Sequence, residues 1–470
     1  MISQIGLHAT TRRAATPDLG ALLGDGLKEP IDVAEVTLAH YEVDDSHSLD
    51  QVVHTPDGRT YLSASSFDTS RDRDQDPGGY AVALGPDGKQ IWRYDAPGGF
   101  GVRSLTVSSN GHTYLLLEPE SHYTAPLMVT LDAQGQTVWT HEPKEYPHPK
   151  LDSVRPFGDQ VFLKAEKTVT ALDAQTGQVN WQKDLSIYPS SYFHVVYPNG
   201  DQVFANNDFS NNFGDDHFER ISATGQKKRH KMPNFSTFPV RVDDKLIYGS
   251  DQGSLTGVDL ATGKSWKLDT DSERGLATPW LGRDGRIYAK GRHDDHHYCF
   301  TAEGQMIWHK ELDLAPGGMT DEPFKVGPDG SVVYAAGDDS GLHRLDPNGN
   351  ETGVVPITDF RDFAPDEKGN LYVFDSDDRL VVVPPGGDKR YVVPLQFKEH
   401  DWWDLERVEN GQVELKSNRQ VLRLNVTPET VSQRLTERVL QPTEPTPAPP
   451  QVEHDGDWLV IGDISIPVEG

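Results

Sequence analysis

A single cysteine, Cys299, stands in this chain of 470 residues. No intramolecular disulfide can form and no cysteine-based zinc site can be built, which suits a reducing compartment. No apolar run approaches the ~18 residues that a membrane-spanning helix needs. The opening residues, Met1-Ile-Ser-Gln-Ile-Gly-Leu-His8, lack the basic flank and apolar core of a secretory leader. The expected location is therefore the cytoplasm, or a site reached by a non-Sec route. Basic residues are also in short supply: 44 Lys and Arg against 73 Asp and Glu give a net charge of −29. A field of that sign repels nucleic acid and anionic lipid, so neither nucleic acid nor membrane insertion is expected. It favours solubility, and the 18 histidines would make the charge less negative on mild acidification.

What the chain does have is turns. It carries 43 Gly and 33 Pro, and one phrase returns throughout. An apolar strand end is followed by a Gly turn and then by Trp. The phrase reads Leu84-Gly-Pro-Asp-Gly-Lys-Gln-Ile-Trp92 and Leu131-Asp-Ala-Gln-Gly-Gln-Thr-Val-Trp139. It returns as Leu172-Asp-Ala-Gln-Thr-Gly-Gln-Val-Asn-Trp181, Val258-Asp-Leu-Ala-Thr-Gly-Lys-Ser-Trp266 and Phe300-Thr-Ala-Glu-Gly-Gln-Met-Ile-Trp308. Degenerate copies turn at Gly225, Gly349 and Gly387, with Arg229, Gly353 and Tyr391 in the Trp slot. The spacing of about 42 residues is that of a propeller blade of four strands.

A second series of tight turns interleaves with the first: Gly58, Gly111, Gly158, Gly200, Asp243, Gly285, Gly330, Gly369 and Gly411. Asn-Gly and Asp-Gly pairs accept positive φ cheaply and mark hairpins. Each unit thus reads as strand A, tight turn, strand B, longer loop, strand C, tight turn, strand D with its Trp. The phrase Leu-Asp-Ala-x-Thr-Gly-x-x-x-Trp resembles the PQQ-like repeat of quinoprotein dehydrogenases and of outer-membrane assembly propellers such as BamB. The resemblance runs over roughly residues 48 to 428 and implies an all-β, closed β-propeller. The recurrent Trp is expected to pack between adjacent blades.

Nine A–B turns predict nine four-stranded blades, with eight as the fallback should one weak unit be a surface hairpin. The ninth unit, from Trp403 to Val426, has three strands. An orphan alternating strand, Val36–Val43, lies upstream and would supply the fourth, leaving no open sheet edge. The propeller is placed at 35–428 and is expected to be monomeric. Before it, 1–34 is an extension with a short helix around Pro17 and Leu23. After it come an amphipathic helix over 429–440, a Pro-rich linker over 441–451 and a β-prone peptide over 452–470, too short to fold alone. The strand order puts A–B and C–D turns on one plain rim. The longer B–C and D–A loops share the other, which is the candidate functional face.

Candidate chemistry is sparse. Acidic loops at Asp68–Asp76, Asn211–Asp216, Asp294-Asp295, Asp338-Asp339 and Asp375–Asp378 could hold Ca²⁺, although turn preference alone explains them. His293, His296 and His297 with Asp294 and Asp295 are the best transition-metal candidates. Trp402-Trp403 could be an exposed anchor or a seal on the last blade. The family resemblance raises quinone catalysis, but the vicinal disulfide of such enzymes cannot form here, no export signal is seen and none of their active-site residues has a counterpart. No catalytic or cofactor-binding residue is therefore assigned, and no bound quinone is expected. The favoured function is a non-catalytic scaffold that engages a protein partner through the loop-rich rim and the C-terminal peptide. Trp458, Ile464, Ile466 and Val468 are its expected contacts, added as a strand to a sheet edge or folded as a hairpin about Gly462-Asp463. The alternatives are a quinone- or metal-dependent propeller enzyme and a secreted bacterial effector.

Overall fold

The computed structural model describes residues 31–32, 36–44, 46–66, 78–119, 124–143, 149–185, 194–197, 199–205, 217–231, 237, 239–260, 262–273, 275–314, 324–337, 340–377, 379–385, 390–396, 403–409 and 411–430. It also describes the backbone of 452–455, 458–461 and 464–467. The expected N-terminal helix lies outside these residues.

Nine antiparallel four-stranded blades form the ring. Blade 1 shows the plan: strand A is His47–His54, B is Thr60–Ser66, C is Tyr80–Leu84 and D is Gln90–Asp95. Strand C is buried along its whole length, whereas strand D is mostly open to water. That gradient follows the residues: Tyr-Ala-Val-Ala-Leu packs on both faces, while Gln-Ile-Trp-Arg-Tyr-Asp buries chiefly its Trp. Seven further blades follow in sequence up to the D strand Tyr391–Gln396.

Blade 9 closes the ring as the sequence predicts. Its strands Asp404–Glu409, Gln412–Lys416 and Gln420–Asn425 are completed by Thr37–Glu42, which pairs antiparallel from Thr37 with Leu424 to Glu42 with Gln420. The Val43 N–H donates to the Arg419 carbonyl at 2.8 Å, and the Leu49 N–H of blade 1 donates to the Asn418 carbonyl at 2.7 Å. Across the same seam His54 of blade 1 bonds Glu414 of blade 9 at 2.8 Å, and Arg423 donates to Thr60 at 2.9 Å.

The core is distributed. Among the described residues, nine apolar clusters each lie between two consecutive blades, and the ninth, with Val43, Leu62, Tyr80 and Val421, joins blade 9 to blade 1. Stability therefore resides in nearest-neighbour interfaces, as in other repeat architectures.

Those interfaces explain the repeated phrase. The indole of each D-strand Trp lies on the C–D turn glycine of the next blade: Trp92 on Gly135, Trp139 on Gly177, Trp181 on Gly225, Trp266 on Gly304 and Trp308 on Gly349. A Cβ on Gly177 would stand 2.6 Å from Trp139 Cδ2. The glycine thus serves twice, by accepting φ +69° and by letting the ring lie flat. Trp139 and Trp181 each donate from Nε1 to a carbonyl of the next blade, Ala174 at 3.0 Å and Ala223 at 2.9 Å. At the closing seam the receiving glycine is Gly88, and Ala39 takes the place of Trp. Blade 4 departs from the sequence expectation at Arg229. The side chain beside the next blade's Gly263 is His230, stacked on Phe218, while Arg229 is exposed. Tyr391 packs into the cluster between blades 8 and 9, which also buries Trp403.

Two additions flank the ring. Ile31–Asp32 pairs parallel with Leu395 and Gln396, a fifth strand on blade 8 that no periodicity announced. Thr427 caps a helical turn at 428–430, its Oγ1 accepting from the Thr430 N–H at 3.0 Å. The rest of the expected 429–440 helix lies outside the described residues. Instead of a lone peptide, the C-terminal segment forms a three-stranded antiparallel sheet of Val452–Asp455, Trp458–Ile461 and Ile464–Pro467.

Candidate functional site

The two rims are as the strand order requires. Gly58 of an A–B turn lies against Pro86 of a C–D turn, Gly111 against Ala133 and Gly369 against Pro385, so both turn series share one rim. That rim is plain because its carboxylates are spent on the turns. Asp132 accepts the N–H groups of Gln134 and Gln136, each at 2.9 Å, and Asp346 those of Asn348 and Asn350, each at 2.8 Å. Hydrogen bonds from Thr176 and its backbone likewise hold the Asp173 carboxyl below its ordinary range. On the other rim Asp375 accepts from the Arg379 N–H and pairs with its guanidinium. Acidic loops 68–76, 211–216 and 338–339 lie wholly or mainly outside the described residues.

The histidine loop of blade 6 does not converge. His296 and His297 stand on opposite faces of the strand His296–Phe300. His296 Nδ1 bonds His309 Nε2 at 2.7 Å, and His309 Nδ1 faces Asp271 at 3.2 Å. His297 instead turns inward against Phe324 and donates from Nδ1 to the Asp295 carbonyl at 2.9 Å. Burial pushes its pKa down to about 4. Asp294 accepts from Ser272 at 2.7 Å. Of the five neighbours in sequence, the His296 and His297 rings and the Asp294 carboxylate thus turn to different side-chain and backbone groups, and the structure brings no side chain of His293 or Asp295 to join them in a common site. Among the described residues no group of three or more His, Cys, Asp or Glu side chains is placed to hold a metal ion.

A buried polar cluster between blades 3 and 4 was not visible in the sequence. His194 donates from Nε2 to Gln202 Oε1 at 3.0 Å, which leaves Nδ1 to accept from Ser153 Oγ at 2.8 Å. The fully buried Lys164 pairs with Asp152, the chain neighbour of Ser153. A serine donating to a histidine has the outline of a nucleophile and its base. Burial, however, pushes His194 down to about 3, and a base that weak takes few protons at neutral pH. Among the described residues, the cluster is a polar pin in the interface with the fewest buried apolar residues of the ring.

On the plain rim, Arg283 of blade 6 reaches past blade 7 to the inner strands beyond. It donates to Glu367 Oε1 at 3.1 Å and to the Val408 carbonyl at 3.3 Å. Beside it the inner strands of blades 6 to 9 enclose a depression of about 390 Å³, with Trp280, Lys325, Glu406 and Arg407 at its wall. Desolvation raises the pKa of Asp362, while Lys325 opposes the shift.

In the C-terminal sheet the register pairs Val452 with Ile461 and Ile461 with Ile464, and likewise His454 with Leu459 and Leu459 with Ile466. Paired residues share a face, so Val452, Leu459, Ile461, Ile464 and Ile466 stand together with His454. Trp458, opposite Asp455 and Pro467, falls on the other face. Val468 lies outside the described residues.

These features define an all-β propeller of nine blades with a small sheet appended. Residues 45–186 and 127–346 match the family described as outer membrane protein assembly factor BamB. The two overlapping matches span more than half of the chain, which therefore belongs to this PQQ-like propeller family. No curated protein matches the chain in sequence. Among solved structures, a eukaryotic initiation factor is similar at 9% identity and a TM-score of 0.47, over 75% of this chain and 92% of that one. Apo AztD from Citrobacter koseri is similar at 10% identity and 0.40, over 81% and 98%. Virginiamycin B lyase from Staphylococcus aureus is similar at 13% identity and 0.36, over 83% and 98%. These likenesses concern the fold alone.

Proposed function

We propose that the protein is a scaffold without catalytic activity of its own, which holds a protein partner through its loop-rich rim and its C-terminal segment. The observation that carries this reading is the C-terminal sheet. Its register gathers five aliphatic residues on one face, and among the described residues it pairs with no blade. A unit of three four-residue strands is too small for independent stability, and a surface of that kind gains by docking on another. The linker sequence between 441 and 451 allows reach, since a polyproline-like stretch of that length extends ~30 Å. The family's description as an assembly factor, a role exercised on other proteins, supports the same reading. The rim contributes loops that vary in length from blade to blade on a rigid ring, the usual setting for recognition.

The test is affinity capture with the full-length protein and with a truncation ending at Leu440. A partner retained by the first and lost by the second supports the reading. Identical capture by both removes the C-terminal segment from it.

A further inference from the structure

Blade 4 breaks the chain's own rules. Every other D strand carries at least one apolar residue, whereas this one reads Lys227-Lys-Arg-His-Lys231. Five consecutive cationic or ionisable positions stand on the outer edge of a protein whose net charge is −29. The strand gives up the interblade Trp that five other blades use. Among the described residues, its blade also has the thinnest apolar contact with its predecessor, where Ser153, His194 and Gln202 form a polar cluster. One or two lysines would suffice to keep a sheet edge from pairing with copies of itself. Lys227 is paired with Glu219 and His230 is stacked on Phe218, yet a D strand of this composition where other blades place a Trp is the sort of local departure that proteins keep at functional sites.

We propose that the outer edge of blade 4, Lys227–Lys231, is a docking site for an acidic, extended peptide segment of a partner protein, which adds to it as a fifth strand. Two observations converge on this occupant. The first is geometric: this ring already accepts a fifth strand on a D edge, because Ile31–Asp32 pairs with Leu395 and Gln396 on blade 8. The second is electrostatic. Lys227, Lys228 and Arg229 are exposed, and the exposed Lys183 of blade 3 lies beside the blade 4 turn at Gly225 and lengthens the strip. Lys227 also donates to the Asp184 carbonyl at 2.8 Å and pairs with the buried Glu219, which fixes the strand to both neighbours. Main-chain bonds along the edge would give affinity, and acidic side chains on one face of the added strand would meet Lys227 and Arg229, which share a face because side chains alternate along the strand. The strip is ~17 Å long and the screening length in physiological salt is ~8 Å, so a short peptide stays within the positive zone. A long nucleic acid would overrun it onto the acidic remainder of the ring.

The test uses full-length protein and a labelled synthetic peptide of about nine residues that alternates Glu with Val. Fluorescence anisotropy is read between about 50 and 300 mM salt. The expected result is saturable binding, weakened by salt and at least ~10-fold by Lys183→Glu with Arg229→Glu. Lys183→Gln with Arg229→Gln should fall between, and unchanged melting temperatures confirm that the exposed edge tolerates the changes. N-methylation of alternate peptide amides should abolish binding, because it blocks strand addition and leaves charge intact. Binding that survives the charge reversal, or that is equally strong with the N-methylated peptide, overturns the proposal. So does stronger competition by a single-stranded oligonucleotide than by unlabelled peptide. These outcomes do not depend on the C-terminal segment, which can be truncated at Leu440 as a parallel arm.

Discussion

If the indole-on-glycine contact is what joins the blades, Gly177→Ala should be far more damaging than a methyl group ordinarily is. The new Cβ would lie 2.6 Å from Trp139 Cδ2 and 2.7 Å from Cε3, at a backbone with φ +69°. A non-glycine residue in that conformation costs ~1–2 kcal/mol. Overpacking against an indole that cannot retreat costs a further ~1–3 kcal/mol. Tilting the ring would also break the 3.0 Å bond from Trp139 Nε1 to the Ala174 carbonyl, worth ~1 kcal/mol. The expected loss is ~3–5 kcal/mol, since clash relief and bond loss trade against each other. Gly158→Ala is the control: its φ is +59° and a Cβ there meets nothing within 4 Å, so only the conformational cost remains. Urea unfolding of both variants, and of each combined with Trp139→Ala, makes a double-mutant cycle. With Trp139 removed, Gly177→Ala should cost no more than Gly158→Ala. Equal losses for the two glycine variants in the native background, or no coupling to Trp139, would refute the interblade contact as the source of the repeated phrase.

Three further outcomes follow from the geometry. Deleting residues 1–45 removes the strand Thr37–Glu42 from blade 9, so light scattering should report association and the melting temperature should fall; a stable monomer would count against closure by this strand. Stability should decline as pH drops from ~6.5 towards 4, because burial depresses His297 to about 4 and His194 to about 3 while the unfolded chain protonates both near 6.5. Each histidine then contributes stability that is complete above its unfolded pKa and is lost below it, by up to ~1.4 kcal/mol per pH unit. His297→Leu should therefore flatten the dependence of the urea midpoint on pH, and an unchanged slope would place the charge elsewhere. Ile464→Asp with Ile466→Asp puts two charges on the aliphatic face of the C-terminal sheet and should abolish capture of a partner without moving the melting temperature. A lower melting temperature with capture intact would instead make that sheet part of the ring's own structure.

How much of this was legible in the residues depends on whether the signal is local. Hairpin turns are local: Gly, or in one case Asp243, carries the positive φ that the nine A–B turns adopt, six of them in Asn-Gly or Asp-Gly pairs, and the count of nine follows from them. Closure was legible too, because a unit lacking a strand and a strand lacking a unit complement each other at 36–43. The blade 6 histidines were harder to read for the opposite reason. Adjacency in sequence places His296 and His297 on opposite faces of a strand, so proximity along the chain separates them in space. Blade 4's strand was equally visible as letters, but its position on an outer edge required the sheet order.

The amino-acid sequence by itself determined the blade and its turns, fixed by φ preference and a period of two within about 42 residues, and by counting units the number of blades and the strand left over to close them. Only the tertiary structure decided which side chains meet across blades. Trp139 reaches Ala174, Ser153 reaches His194 and Arg283 reaches Val408 because the ring sets inner strands side by side and stacks each indole on the following turn. The same holds for the fifth strand on blade 8, where two residues have no period to read, and for the shared face of the C-terminal sheet. Such contacts depend on strand register and ring closure, which no local pattern encodes.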